Sequence, residues 1–537
     1  MPLRVADFFC GGGGFSEGFR QAGFNIVFAV DKWLPAVNTY KGNKPGVNVI
    51  QDDVIRISEL SDEEFEALVP DSEIIIGSPP CQSFSHSNKS GGADKALGIK
   101  LFEAYLRIIA RKKFKENSVL KYWILENVPD IKKYIKQEYT AKDLKLSGDF
   151  VLKTHGAAAG KYNAKYFGAP TNRERYLCGD FPAPKKVKND SDVTTLGDVL
   201  AALGDPLNNE TDQITDINYP DLVLSRNKIT DHHYLYELAP FEYNTSKRLK
   251  QDKGYMGKMA FPENLKKPAR TVMATMTASA REAMILGYGD GRYRLPTVRE
   301  AASMMSFPID YWFYGESKGV KHTLVGNAVP PKLSYALACA IAVAEKQPLP
   351  EKYIPIKHPS DQIFWDLNGM KFEIKKEKPK KEKAKFKYHI PYLIINAYRV
   401  ELTNYHSNFD LGVYEWNAEI HFSQGKDKAK VLTPCITKEF FPDGLFSRIE
   451  SYIQEVSRNL PATKNSFQKL YCMTTEKREA TGMIGPYELL SSLRTFLDIN
   501  ISESDQKKPI AINASTKVPY VILAGYYTMS RIVGKMI

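Results

Sequence analysis

The stretch "IIIGSPPCQSFS" at residues 74–85 brings fold and chemistry together. Three isoleucines read as a buried strand, and the run ends on a glycine and two prolines. Proline fixes φ and lacks a backbone donor, so a structural turn could use these residues. A turn alone would not require the thiol that follows, flanked by an amide and hydroxyls. In open α/β sheets, ligands and chemistry gather at the carboxyl ends of strands. Cys81 is therefore a candidate nucleophile, although a lone free cysteine is more often a small buried hydrophobe.

Outward from this strand, residues 1–180 alternate short β-rich runs with helical patterns. "LRVADFF" reads as a strand, followed by glycines and a helix "FSEGFRQA" stopped by Gly23. "NIVFAV" is a second strand ending at Asp31, and "VNVI" a third ending at Gln51–Asp53. Ser61 with Glu64 makes a capping box for the next helix. Apolar positions at helical spacing follow over 99–113, and "YWILENV" at 122–128 is a fifth strand. The alternation predicts an α/β fold with a doubly wound, mostly parallel sheet.

Residues 181–290 break the rhythm, being rich in Pro, Asn, Asp, Lys and Arg. Sheet-like vocabulary returns at "RLPTVREAASMMSFP" and "KHTLVGNAVPPKLSYALACAIAVAE", the latter read as a turn feeding a long helix over 332–345. An insertion inside one domain fits this order. The segment "KFEIKKEKPKKEKAKFK" at 371–387 reads as a charged, proline-broken linker, and enough aromatics and aliphatics follow for a separate core.

At 537 residues the chain is too long for one typical domain. A net charge of +12 favours polyanionic partners such as nucleic acid, although solubility alone would also explain it. Six cysteines (10, 81, 178, 339, 435 and 472) are scattered without a CxxC pair, so neither a zinc site nor a disulfide framework is indicated. The longest apolar run, 333–344, is shorter than the roughly 18–20 residues of a membrane span. With no signal peptide read, a soluble, cytoplasmic protein is expected.

Three further stretches carry chemistry. "DFFCGGGGFSEG" follows a strand and opens a helix, where backbone amides can hold a ligand's polar groups. The dinucleotide fingerprint G-x-G-x-x-G fails, because its third position falls on Ser16 or Glu17. Asp31 could accept from ribose hydroxyls and Asp53 from an exocyclic amine, a pattern that suits S-adenosylmethionine better than NAD. A tight structural turn remains the alternative for the glycines. "ILENVPD" puts Glu126 at a strand end as an acid or hydrogen-bond partner, or simply as an exposed acid. "TNRERYLCGDF" places Arg173 and Arg175 on one face of a β segment, suited to a phosphate, an oxygen-bearing base or surface pairing.

Taken together, these segments make the chain from Arg4 to about Glu345 resemble the C5-cytosine DNA methyltransferases, bacterial restriction–modification type, in the family's motif order. "DFFCGGGG" is similar to the cofactor loop, "GSPPCQSFS" to the nucleophile loop, "ENV" to the catalytic glutamate segment, "TNRER" to Q-x-R-x-R, and "GNAVPP" to the closing motif. Thr171 replaces the usual glutamine, and Asp31 the commoner glutamate. Neither departure removes a bond-making group.

The resemblance implies that Cys81 adds covalently to a flipped-out cytosine in double-stranded DNA. Glu126 would hold the base, and Arg175, supported by Arg173, its carbonyl oxygen. S-adenosylmethionine would sit among Phe9, Gly11, Gly13, Gly14, Asp31, Asp53, Pro79, Leu101, Asn327 and Val329. It further implies a catalytic and cofactor domain over 1–180 and 291–345. Target recognition falls to 181–290, where "RNK", "SKRLKQDK", "KKPARTV" and "TASAREA" supply cations for bases and phosphates. Residues 346–389 are a linker and 390–537 an accessory domain. A monomer on DNA near the nucleoid, with a cognate endonuclease as a separate protein, completes the expectation. A dead binding module, a transfer-RNA methyltransferase and a nuclease fusion are the competing readings.

Overall fold

The computed structural model describes residues 2–80, 95–207, 212–252, 259–360, 364, 366, 374–423 and 430–537. The chain divides into two compact units, Met1–Leu238 with Pro262–Glu373, and Ala239–Phe261 with Ile374–Ile537.

The first unit is built on seven strands: β1 (Arg4–Phe8), β2 (Asn25–Asp31), β3 (Asn48–Gln51), β4 (Ile74–Gly77), β5 (Tyr122–Asn127), β6 (Gly160–Asn163) and β7 (Glu174–Asp180). Their spatial order is β3-β2-β1-β4-β5-β7-β6. The first five run parallel, and β7 lies antiparallel to both β5 and β6. This is the expected doubly wound, mostly parallel sheet. The order reverses between β1 and β4, and in such sheets ligands bind outside the carboxyl ends of the strands at that point.

The run of isoleucines forms a strand because both of its faces are covered. Successive strand residues point to opposite faces. Ile74, Ile76 and Ile124 share one core with Phe19 of helix α1 (Gly14–Gln21) and with Leu337 and Ile341. Ile75, Trp123 and Leu125 share the other, whose helices include α2 (Val54–Ser58), α3 (Asp62–Leu68) and α4 (Lys95–Lys113). Truncating a fully buried aromatic such as Trp123 would cost on the order of 3–5 kcal/mol. α1 approaches helix Pro331–Ala344 so closely that a Cβ on Gly18 would lie 2.2 Å from Ser334 Oγ.

Local signals mostly translate directly. The Ser61–Glu64 capping box starts α3, and Thr297 with Glu300 makes another for helix Val298–Met304. One expectation is corrected: "KHTLVGN" is not a turn but the helix Lys318–Asn327. It stops just before Pro330–Pro331, and Pro331 opens the next helix, where its missing N–H costs nothing.

The stretch expected as a linker differs at both ends. Ile354 N donates to Gln21 Oε1 at 3.0 Å, Tyr353 donates to Asp310 at 2.6 Å, and the His358 ring stacks on Trp312 at 3.7 Å, all within the first unit. At the other end, Phe386 is buried in the core of the second unit. That unit holds a four-stranded antiparallel sheet of Lys387–His389, Tyr398–Thr403, Asn417–Phe422 and Lys430–Leu432. Val400, Trp416 and Ile420 pack with Leu489, Leu493 and Ile522 in a core of its own. Helix Pro240–Gln251, encoded inside the inserted region, belongs to this unit. Among the described residues, no helix is long and apolar enough to cross a membrane.

Candidate active site

At the switch point, β1 ends in a tight curl. Phe9 adopts φ 55°, a left-handed value uncommon for a non-glycine residue, and Gly11 follows at φ 51°. Such strained residues cluster at ligand sites, where the surroundings hold them. Here the holding group is Asp31 at the end of β2, which accepts from Gly11 N at 2.9 Å and from Trp33 N at 2.8 Å. Burial pushes its carboxyl above the usual range.

A cavity of about 420 Å³ opens at this point. Its wall includes Phe9, Gly11, Gly14, Asp31 and Asp53, with Pro79, Leu101, Asn327 and Val329 from later segments. Asp53 caps α2 through Ile55 N at 2.9 Å and binds Lys32 Nζ at 2.9 Å, so it is a cap as well as a wall. Of the proposed cofactor residues, Gly13 alone is displaced from this wall. It takes φ 81° before α1, and a Cβ there would meet Tyr311 Oη at 2.6 Å and Lys44 Nζ at 2.8 Å. Its surroundings are packed protein, so its part is to let the chain turn into α1.

Glu126, Arg173 and Arg175 line the same cavity. Glu126, at the buried end of β5, forms an ion pair with Arg175 Nε at 2.9 Å and accepts from Ser78 Oγ at 3.0 Å. The ion pair uses Oε1, which is buried and has no aligned hydrogen bond among the described residues. A carboxylate oxygen has more than one lone pair, so a Glu126 held by Arg175 can still accept from a ligand N–H in the cavity. Arg173 has a different part from Arg175. It donates to the carbonyls of Val272, Gly326 and Ala328 at 3.1, 2.9 and 3.0 Å, tying the β6–β7 region to the Asn327–Val329 wall. It is a positioning residue.

Cys81 lies outside the described residues, while Pro80, immediately before it, lines the cavity. Cys10 also lines the cavity, but burial, with Asp31 and Asp7 adding to it, drives its thiol well above the ordinary range. A thiol so held is a poor source of thiolate.

The sequence reading missed Ser78 and Asn127, both inside quoted motifs. Asn127 Nδ2 donates to Pro79 O at 2.9 Å and fixes the loop that leads to Cys81. Trp33 and Ile55, also in the wall, gave no signal beyond their positions after strand-end acids. Four of the cations assigned to DNA in the inserted region are corrected. Arg226, Lys250 and Arg281 are buried, and Arg270 binds Glu263 and the Ala283 carbonyl. Lys228, Lys266 and Lys267 remain exposed.

A doubly wound sheet with strand-end acids beside a glycine curl, and a carboxylate–guanidinium pair across the same crevice, defines a Rossmann-like methyltransferase. The family described as C-5 cytosine-specific DNA methylase matches residues 3–342, and the chain belongs to it. Type II methyltransferase M.MthTI of Methanothermobacter thermautotrophicus is 29% identical over 360 residues, covering 63% of this chain and 96% of that protein. Type II methyltransferase M.NgoPII of Neisseria gonorrhoeae is 28% identical over 363 residues, covering 63% and 95%. The chain is a DNA cytosine-5-methyltransferase, and the matches leave its C-terminal extension unassigned.

Proposed function

We propose that the first unit transfers a methyl group from S-adenosylmethionine to carbon 5 of a cytosine flipped out of duplex DNA, through a covalent bond to Cys81. The relatives' names support a place in a type II restriction–modification system, with protection of host DNA as the role. The observation that carries the reading is the shared cavity: the Glu126–Arg175 ion pair lines the same space as Phe9, Asp31 and Asp53.

The residues present fit an adenosyl ligand. Asp31 retains lone pairs for ribose hydroxyls, the Asp53–Ile55 turn offers polar backbone groups, and Pro79, Leu101 and Trp33 supply apolar surface. When bound, S-adenosylmethionine supplies an electrophilic methyl group. The task of the chain is to make carbon 5 nucleophilic. The Cys81 thiolate adds to carbon 6, and the ring's electron pair moves toward carbon 5. Glu126 Oε1 accepts from the exocyclic amine or from protonated nitrogen 3, relieving the charge that addition places on the ring. Arg175 keeps Glu126 in position and faces the carbonyl oxygen at carbon 2. After transfer, loss of the carbon 5 proton returns the electrons and breaks the carbon–sulfur bond, freeing Cys81.

Flipping the base costs a few kcal/mol and needs contacts outside the cavity. Residues of the inserted region are proposed to supply them, with the exposed Lys228, Lys266 and Lys267 on phosphates. Plasmid DNA incubated with the protein and S-adenosylmethionine, then bisulfite-sequenced, is expected to show protected cytosines at one recurring sequence. Full conversion at every cytosine would refute the proposal.

A further inference from the structure

A second cavity, of about 820 Å³, lies wholly within the second unit. Helix Pro240–Gln251, the segment Glu377–Lys380, Tyr388–Tyr392 and the helices Thr475–Glu479 and Pro486–Asn500 contribute to it. Its size falls within the range of small-molecule sites.

Three of its acids already have partners inside the protein. Asp252 accepts from the Tyr388 hydroxyl at 2.8 Å and from Tyr392 N, and pairs with His389. Glu377 accepts from Thr475 N at 2.7 Å, and Glu488 holds Arg478 at 2.7 Å. Glu479 is exposed. The cations are not matched in this way. The Arg248 guanidinium lies 4.4 Å from the ring centre of Tyr388 and 4.3 Å from that of Tyr487. Its Nε is buried without a hydrogen bond, and no described carboxylate forms an ion pair with it. Lys380 sits 5.0 Å from the Tyr471 ring centre, its ammonium drawn below the usual lysine range by burial. Lys378 is exposed and likewise unpaired among the described residues.

Tyr392 adds a flat surface. It is 42% exposed and holds a left-handed backbone at φ 59°, with Asp252 accepting from its N–H. A bulky residue in that conformation is strained, and strain of this kind is kept where the surroundings enforce it, often at ligand clamps. Unmatched guanidinium and ammonium groups favour a phosphate, and an exposed tyrosine ring favours a planar base.

We propose that this cavity binds a nucleoside 5′-phosphate, with Arg248, Lys378 and Lys380 on the phosphate and Tyr392 against the base. The same chemistry is presented by a free nucleotide and by the phosphorylated end of a DNA strand. The proposal uses no residue of the methyltransferase cavity and stands apart from it.

The full chain, titrated calorimetrically with thymidine 5′-monophosphate, thymidine, inorganic phosphate and a short 5′-phosphorylated oligothymidine, tests the site. Thymine is neither the target base nor the cofactor's adenine, which separates this cavity from the first. The monophosphate is expected to bind saturably, with thymidine and phosphate each about tenfold weaker or more. Lys380→Gln and Tyr392→Gly are each expected to lose about tenfold. Tyr392→Gly should not lower the unfolding temperature, because glycine adopts the same φ freely. Tighter binding of the oligonucleotide than of the monophosphate would identify a strand end as the ligand, and the reverse a free nucleotide. Absence of binding by every probe, phosphate alone binding as tightly as the nucleotide, or unchanged affinity in both variants would overturn the proposal.

Discussion

The two cavities differ in which of their charges are already paired within the protein. The one at the β1–β4 switch point is lined by Asp31, Asp52, Asp53 and Glu126, and its cations are engaged: Arg175 pairs with Glu126, Lys32 with Asp53, and Arg173 is spent on backbone carbonyls. The one in the second unit leaves Arg248, Lys378 and Lys380 without an ion pair among the described residues. A sulfonium donor and a base presenting N–H groups suit the first, and an anion suits the second. The polarity of a cavity therefore follows from which charges are already neutralised within the protein, and composition alone does not reveal it. A chain of +12 net charge keeps one of its sites acidic.

The comparison can be broken most severely at Cys81. Cys81→Ala is expected to lower 5-methylcytosine formation by roughly four orders of magnitude or more while DNA binding persists, since the thiol acts only after docking. Methylation near the wild-type rate in a tritiated-methyl assay would contradict this. Next in size, Glu126→Gln should slow transfer about 10²- to 10⁴-fold with little change in cofactor affinity, as its proposed contact with the base requires. An equal loss in cofactor binding would contradict the role proposed for Glu126.

Asp31→Ala should weaken S-adenosylmethionine binding about ten- to hundredfold, the loss of one charge-assisted hydrogen bond. It should also loosen the loop, since Asp31 holds Gly11 N and Trp33 N. An unchanged dissociation constant by calorimetry would rule out Asp31 as the ribose acceptor. The smallest effect concerns Asp7, buried on β1 and pushed up to about 7 by burial. Its ordinary value is 3.8, so between these values the folded state keeps a proton that the unfolded state has released. Stability from this group is then lost as pH rises through that window. Asp7→Asn removes the penalty, and its unfolding temperature is expected to gain on the wild type between about pH 5 and about pH 8. A constant difference across that range would contradict the burial account.

The same contrast separates what the sequence made legible from what it hid. β1 to β5 and the Ser61–Glu64 capping box were readable because each depends on near neighbours: alternating apolar residues, a serine three places before an acid, a glycine after a helix. Glu126, Arg175 and Asp31 were readable because strand ends are marked by the residues themselves. The antiparallel β7 was not, since a strand's direction depends on the path between strands. Nor was the fate of Arg226, Lys250 and Arg270, whose burial is set by distant partners. Helix Pro240–Gln251 shows the limit plainly. It is encoded within the insertion, yet Asp252 at its end pairs with His389, 137 positions away.

That arrangement changes what a shortened chain should do. Ending at Leu349 removes the Tyr353–His358 strap from the first unit and strips helix Pro240–Gln251 of the second unit's core. Such a protein is expected to melt several degrees below one ending at Pro359, which keeps the strap. Equal melting temperatures would mean that the strap adds nothing to the first unit.

The proposed chemistry turns on covalent catalysis by Cys81. Its most direct test is to incubate the full chain and S-adenosylmethionine with duplex DNA in which 5-fluorocytosine replaces cytosine. Fluorine at carbon 5 cannot leave as a proton does, so the carbon–sulfur bond should persist. Digestion and mass spectrometry are expected to find the nucleotide on the peptide carrying Cys81, with the adduct absent in Cys81→Ala. An adduct on Cys10, or methylation of ordinary DNA without any trapped species, would contradict the account.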